Sequence, residues 1–306
     1  MNNKVTVIGL SGESIFLNVN KFHENGETLH ANTFKSEVGG KGYNQALALN
    51  KFGSDIFYLS SVGKDYYGDK CEELFKEKNI RSLFVRKDAP TALATILTND
   101  SGDNQVTVYD GATRLLDEKD IETIKNEILT SSVILLQLEV PLSVNLLAAK
   151  FAKENNVKVI INPAPVINYS EELLRLADII TPNESEARKI FGLEEYESIT
   201  IITQKMKEKK IKEVIVTLGD KGAIHFFDDV VEYYLPLEVK AVDTTGAGDI
   251  FNAMLAYQIS NNLDTSLAIE YAIVASALSV TKRGVVDAIP NLEEIKEKLY
   301  EKDRYK

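Results

Sequence analysis

The chain has 306 residues, 44% of them hydrophobic and 26% charged, a globular composition that excludes a largely disordered chain. Its 35 Lys and Arg against 46 Asp and Glu leave a net charge of -11. That opposes nucleic-acid binding, which needs a local excess of cations, but not an anionic small ligand held by helix N-termini and a metal ion. Cys71 is the single cysteine beside three histidines, so an intrachain disulfide and a cysteine-based zinc site are excluded and a multi-histidine site is disfavoured.

In chain order, the apolar stretch Val5–Leu10 is too short for a signal-peptide core or a membrane span. No later run approaches ~18 apolar residues. The expectation is a soluble protein of a reducing cytoplasm with no membrane partner. Val5–Gly9, Ile56–Val62, Val133–Leu138, Val157–Ile161, Ile179–Ile180 and Val214–Leu218 read as strands. Most are near-continuous in Val, Ile and Leu, the pattern of parallel strands buried on both faces. Between them, stretches such as Pro141–Asn155 place Leu142, Leu146, Leu147 and Phe151 at helical spacing. Repeated β–α units predict an α/β fold: a mostly parallel sheet with helices on both faces.

Two regions break this rhythm. Ile15–Lys35 contains alternating segments around Gly26-Glu27-Thr28, and Thr91–Tyr109 reads as a hairpin turning at Ser101–Asn104. Segments of about 13–36 and 91–110 are expected to form a small lid sheet on one unit spanning 1–306. The last third is helical, over Asp249–Ile259, Ser266–Val280 and Leu292–Tyr300, with Pro290-Asn291 marking the start of the last helix.

Polar groups gather where the predicted strands end. Glu139, Asn162, Asn183 (with Glu186 close behind), Gly219 and Asp243 each follow a strand-like run, the last being VKAV. In an open parallel sheet, ligands bind outside the carboxyl ends of the strands. Strand ends are also simply where polar loops begin.

Two glycine clusters stand out. VGGKGYNQ (Val38–Gln45) leads into a helix, but Lys41 is followed by Gly42, not Ser or Thr, so this is no P-loop. No GxGxxG lies between a strand and a helix, so dinucleotide binding of the Rossmann type also loses support. The second cluster, AVDTTGAGDIF (Ala241–Phe251), precedes an amphipathic helix. Gly246, Ala247 and Gly248 let backbone N–H groups approach a ligand, and at a helix start these form an anion site suited to a transferring phosphoryl group. Asp249 is either a favourable first-turn acid or a general base aimed at a hydroxyl beside that site.

Together these segments resemble the ribokinase-like (PfkB) family of carbohydrate and nucleoside kinases. VGGKGYNQALALNKFG and AVDTTGAGDIF are similar to its two signatures. QLEVP (Gln137–Pro141), NPAP (Asn162–Pro165), TPNESEA (Thr181–Ala187) and TLGDKG (Thr217–Gly222) match in order and spacing. The resemblance spans nearly the whole chain. It implies a three-layer α/β sandwich with a β-sheet lid, and an ATP-dependent sugar kinase. By the same resemblance Asp249 is the base, and Gly246, Ala247 and Gly248 supply the anion hole. Asn183 and Glu186 organise Mg²⁺, water and phosphates, with Glu186 reaching Mg²⁺ through water. Thr217, Gly219 and Gly222 fall in the ATP site. Gly40, Lys41, Asn44 and Glu139 fall on the sugar side. Asp243 and the backbone of Thr245 match a monovalent-cation site, K⁺ in relatives. Many relatives also pair their lids as homodimers.

The chain departs from the family after the first strand. Ribokinases place an Asn and an Asp there to bond sugar hydroxyls; this chain has Gly12 and Ser14. A missing carboxylate argues against ordinary ribose recognition, because a site built around a hydroxyl discriminates strongly. Gly12 also removes volume, which favours a bulkier acceptor such as a nucleoside. Glu13 points the other way by strand alternation. Ala288 stands where relatives often have a serine near the cation. Arg86, Lys87 and Arg114 lie near the lid and bear on whether the acceptor already carries phosphate. A sugar-binding regulator without turnover is the reading from another class; the intact Asp249 region speaks against it.

Overall fold

The computed structural model describes residues 3–304 except 102, 168 and 196; residue 102, in the predicted hairpin turn, lies outside the described residues. The strands are β1 (Lys4–Ile8), β2 (Gly12–Asn18), β3 (Thr33–Gly39), β4 (Asp55–Val62), β5 (Arg81–Arg86), β6 (Ala92–Thr98), β7 (Asn104–Tyr109), β8 (Val133–Gln137), β9 (Lys158–Asn162), β10 (Ile179–Ile180), β11 (Glu213–Thr217), β12 (Ala223–Phe227) and β13 (Val230–Tyr234). The helices are α1 (Lys41–Lys51), α2 (Tyr66–Glu77), α3 (Glu118–Thr123), α4 (Lys125–Leu129), α5 (Leu142–Glu154), α6 (Glu171–Leu176), α7 (Glu184–Phe191), α8 (Ile202–Lys209), α9 (Ala247–Ser260), α10 (Thr265–Ser279) and α11 (Leu292–Arg304).

A nine-stranded sheet runs β13-β12-β11-β10-β9-β8-β1-β4-β5. It is parallel from β11 to β5, and β12 and β13 close the other edge antiparallel. Its strands are apolar on both faces because each face meets a separate core. In β8, Val133 and Leu135 join one core while Ile134 and Leu136 join the other. β9 divides the same way, with Ile160 on one side and Val159 and Ile161 on the other. Period-two alternation between two helical layers is what a three-layer α/β sandwich requires. Among the described residues no helix is long and apolar enough to cross a membrane.

The two irregular regions form the lid, a four-stranded sheet β3-β2-β6-β7 in which β2 and β6 run parallel. Sequence had suggested one further strand over VKAV before Asp243. Residues 235–242 are irregular instead. Pro236 lacks a ladder donor, and the β12–β13 hairpin already occupies the sheet edge.

The space expected beside Gly12 is filled. A Cβ on Gly12 would lie 2.3 Å from the carbonyl oxygen of Ala92 and 2.7 Å from its carbonyl carbon. Glycine here admits the backbone of β6 rather than a larger ligand. Gly12→Asn, which restores the ribokinase-type side chain, is therefore expected to cost about 1–3 kcal/mol through overpacking. Denaturant midpoints measure it; an unchanged midpoint would mean that β6 moves aside freely.

Candidate active site

The site is built where two helix N-termini meet beyond the carboxyl ends of the central strands. Helix α1 starts after Gly40 at φ 119°, and α9 starts after Gly246 at φ 77°. Both conformations suit glycine. A side chain would also collide, with Leu10 O at 2.2 Å in the first case and with Val285 in the second. Gly9 and Gly42 lie against each other, so that a Cβ on Gly42 would lie 2.7 Å from Gly9 Cα. This contact seats the start of α1 at the end of β1.

Asp249, in the first turn of α9, is 7% exposed. Asn44 Nδ2 donates to its Oδ2 at 2.9 Å and Gln45 Nε2 to its Oδ1 at 3.1 Å. Gln45 also donates to Asn162 Oδ1 at 3.2 Å and accepts from Gln137 Nε2 at 2.6 Å. Asn252 donates to Gly248 O at 2.8 Å and accepts from Thr181 Oγ1. Burial pushes the Asp249 carboxyl above its ordinary range, against the opposing pull of Lys41, Asn44 and Gln45. A buried carboxylate with amide donors on both oxygens is an oriented proton acceptor.

Three cavities converge here. One, of about 550 Å³, lies under the lid and is bordered by Gly12, Ser14, Gly40, Lys41, Asn44 and Glu139, ending at Asp249. A second, of about 520 Å³, is bordered by Thr217, Gly219 and Gly222 and by apolar walls including Leu237, Phe251 and Val280. A third, of about 220 Å³, joins them past Lys41, Asn183, Glu186, Ala247, Gly248 and Asp249. A Cβ on Gly248 would meet nothing within 4 Å, so its backbone faces open space at the positive end of α9.

Burial tends to lower the Lys41 pKa, but the carboxylates of Asp249, Glu139 and Glu186 together raise it. The Lys41 backbone N–H donates to Glu139 Oε2 at 2.8 Å. Burial lifts Glu139 to about 7, against the pull of Lys41. Asn183 caps α7 in a reciprocal box: Asn183 Oδ1 accepts from Glu186 N at 2.8 Å, and Glu186 Oε2 from Asn183 N at 2.9 Å. Burial raises the Glu186 carboxyl as well.

Asp243 spends its carboxylate on the loop. Oδ1 accepts from Thr245 N and Oδ2 from Gly284 N, each at 3.0 Å. Burial pushes the Asp243 pKa up, but these two bonds outweigh it and hold it below the ordinary value. Among the described residues no group of three or more His, Cys, Asp or Glu is placed to hold a metal.

The cations near the lid turn elsewhere. Arg86 pairs with Asp69 and Glu72, Lys87 with Asp120, and Arg114 with Asp110. Tyr43 is a core residue, its ring tilted against Phe75 with centroids 4.8 Å apart. Glu13 borders the lid cavity, but its carboxylate is spent on Lys70 at 2.6 Å and its side chain is fully buried. Sequence reasoning missed Gln45, Gln137 and Asn252 as supports of the site, because neutral amides carry no charge pattern. It also missed Glu37, which borders the lid cavity; only the β2–β3 register exposes it.

Known proteins resemble this chain along nearly its whole length. The profile of the pfkB family carbohydrate kinases matches residues 2–292. A ribokinase of Lactococcus lactis is 34% identical over 299 residues, covering 97% of each chain. A bifunctional ribokinase/ribose-5-phosphate isomerase A of Fructilactobacillus sanfranciscensis is 37% identical over 298 residues; the match covers 95% of this chain and 55% of that protein. The solved structure of Arabidopsis thaliana ribokinase complexed with ribose and ATP superposes with a TM-score of 0.87 at 27% identity, covering 98% of this chain and 99% of that one.

Glu139 yields a prediction with a definite sign. Its folded pKa of about 7 exceeds the unfolded value near 4.5. Its ionisation therefore removes stability as pH rises between the two, and the loss persists above pH 7. Glu139→Gln is expected to be more stable than wild type at pH 8, by about 3 kcal/mol at most. The gap should close towards pH 4. Chemical denaturation at both pH values measures it; a gap independent of pH would refute the assignment.

Proposed function

The chain belongs to the pfkB family of carbohydrate kinases, and from that premise we propose that it transfers the γ-phosphoryl group of ATP to a sugar hydroxyl, with Asp249 as general base. The observation that carries this reading is the buried, doubly donated Asp249 carboxylate where the lid cavity meets the joining pocket. The lid cavity takes the acceptor and the apolar cavity beside Gly219 takes the adenine end of ATP. The joining pocket takes the phosphates.

Asp249 accepts the proton of the acceptor hydroxyl, and that oxygen attacks the γ-phosphorus as the bond to the leaving ADP oxygen breaks. Backbone N–H groups of Gly246 and Gly248 face the charge that develops, at the N-terminus of α9; that of Ala247 donates to Thr244 O at 3.3 Å and joins them by giving up that bond. Lys41 borders both the lid cavity and the phosphate pocket, so its ammonium can neutralise the transferring group. Among the described residues Asn44 Oδ1 is buried without a partner, and Asn44 borders the lid cavity, which suits it to accept from an acceptor hydroxyl. Closure of the lid excludes water that would otherwise take the phosphoryl group.

Glu186 keeps one carboxylate oxygen outside its capping box and borders the phosphate pocket. This fits Mg²⁺ held through water and phosphate oxygens; bound there, Mg²⁺ would neutralise charge on the phosphates. A K⁺ ion beside Asp243 and Thr245 would rest on main-chain carbonyls, since the Asp243 side chain is committed to the loop.

A homodimer through the lid is part of this reading. Strand β7 is exposed throughout, with Val106 at 55% and Val108 at 51%, an edge that another copy would cover. Light scattering after gel filtration should give twice the chain mass, falling to one for Val106→Lys/Val108→Lys. A wild-type monomer would remove this part.

The activity is tested by ADP release with MgATP across pentoses, hexoses, their phosphates and nucleosides, beside Asp249→Asn. Turnover with one acceptor is expected, falling about 10²–10⁴-fold in the variant. Turnover equal in the two proteins would sink the base assignment. Sugar binding without ADP production would make the protein a regulator. A nucleoside acceptor would redirect the substrate class, although the backbone of Ala92 removes the room at Gly12 that favoured it.

A further inference from the structure

We propose that Glu37 is the acceptor-binding acid of this chain, standing in across the strand pair for the carboxylate absent at Ser14, and that the acceptor is an unphosphorylated polyhydroxy compound. This rests on the lid cavity being the acceptor site. Ser14 and Glu37 are directly opposite in the antiparallel β2–β3 pair, as Gly12 and Gly39 are. Opposed residues in such a pair project to the same face. Both border the cavity that ends at Glu139 and Asp249. The other nearby acid, Glu13, lies on the opposite face with its side chain fully buried against Lys70. Both acids flanking the gap border the cavity, but the Glu13 side chain is fully buried against Lys70 whereas that of Glu37 keeps 20% exposure.

The carboxylate is held in place. Lys35, two residues away on the same face of β3, pairs with Glu37 at 2.6 Å; its side chain is 52% exposed while that of Glu37 is 20% exposed. The pair rests against the loop behind the anion hole. A Cβ on Gly284 would lie 2.8 Å from Lys35 Nζ and 3.7 Å from Glu37 Oε2. Lys35 does not border the cavity; Glu37 does.

The charge balance points the same way. Among the described residues bordering the lid cavity, Lys41 is the one cation, against Glu37, Glu139, Asp249 and Glu13, the last of which is paired with Lys70. Lys41 already faces three carboxylates, and the lid-side cations are paired elsewhere. A phosphate on the acceptor would meet a carboxylate where an anion site needs donors, whereas a hydroxyl donates to it in a charge-assisted bond.

The test measures acceptor KM and, by calorimetry, the affinity for D-ribose, 2-deoxy-D-ribose, D-fructose, uridine, ribose 5-phosphate and fructose 6-phosphate. The proteins are wild type, Glu37→Gln, Lys35→Met and the double variant Glu37→Ala/Ser14→Asp. Glu37→Gln should weaken the preferred acceptor about 10- to 100-fold and leave the KM for ATP unchanged. The double variant should recover most of that loss. Lys35→Met should stay within about two-fold of wild type, which a purely structural role for the ion pair would not allow. Equal acceptor affinity in wild type and Glu37→Gln overturns the proposal, as does affinity absent from both. An equal loss in Lys35→Met, or a phosphorylated sugar binding best, overturns it too. Silence of Glu37→Gln beside collapse of Asp249→Asn removes this inference and keeps the kinase. Weakened binding in Glu37→Gln without turnover in any protein does the reverse.

Discussion

The bond pair that holds the Asp249 carboxylate organises the rest of the molecule. A carboxylate with 7% exposure is costly unless donors replace water. Here both donors come from α1, more than 200 residues away in sequence, since Gln45 and Asp249 are 204 apart. Consecutive residues on a helix are about 100° apart, so Asn44 and Gln45 reach the two oxygens only if the first turns of α1 and α9 lie side by side. That meeting needs Gly40 and Gly246 at positive φ and the bare contact of Gly9 with Gly42. Three glycines of the two signatures, Gly40, Gly42 and Gly246, thus have conformational and packing reasons, and Gly248 keeps the freedom to face a ligand.

Around that pair, the amides form a connected support. Gln137 anchors Gln45, Gln45 reaches both Asp249 and Asn162, and Asn252 braces Gly248 against Thr181. Buried polar chains of this kind favour one arrangement because each broken bond strands another group. Glu139 adds a different tension. Its burial raises its pKa to about 7, so the carboxylate that fixes the Lys41 backbone is poorly solvated where it is charged. Stability is given up beside the reacting centre, as is common where a site is shaped for its ligand rather than for folding.

The central strands were legible because burial on both faces leaves continuous apolar runs. The edges were not. β5 carries Arg81 and Arg86 at its ends, and β12 and β13 include a buried His225 held by Glu213 at 2.7 Å; neither reads as a parallel core strand. VKAV looked like a strand by composition, but Pro236 and an already closed sheet edge leave it without a partner. Asp249 and the Gly246–Gly248 run were legible from local chemistry, since a helix start and an acid can be recognised within a few residues. Glu37 was not. Its significance depends on which residue lies opposite it, and strand register is a property of pairing that a local pattern does not carry.

That difference in legibility follows a division of labour. The groups proposed to meet the phosphoryl transfer sit on helix N-termini anchored in the main sheet, whose core fixes them. The groups that face the rest of the acceptor sit on the lid, where side chains alternate between the cavity and the outer face. Glu13 and Glu37 illustrate the alternation. One is sealed against Lys70 of α2 and ties the lid to the body, while the other keeps its side chain partly exposed at the cavity. Moving a carboxylate from β2 to the facing position of β3 preserves the cavity's charge while changing the direction from which a hydroxyl is approached. It leaves Asp249, Asn44 and Gln45 untouched. Acceptor recognition can therefore change by exchange across one strand pair while the transfer chemistry, buried between α1 and α9, stays as it is.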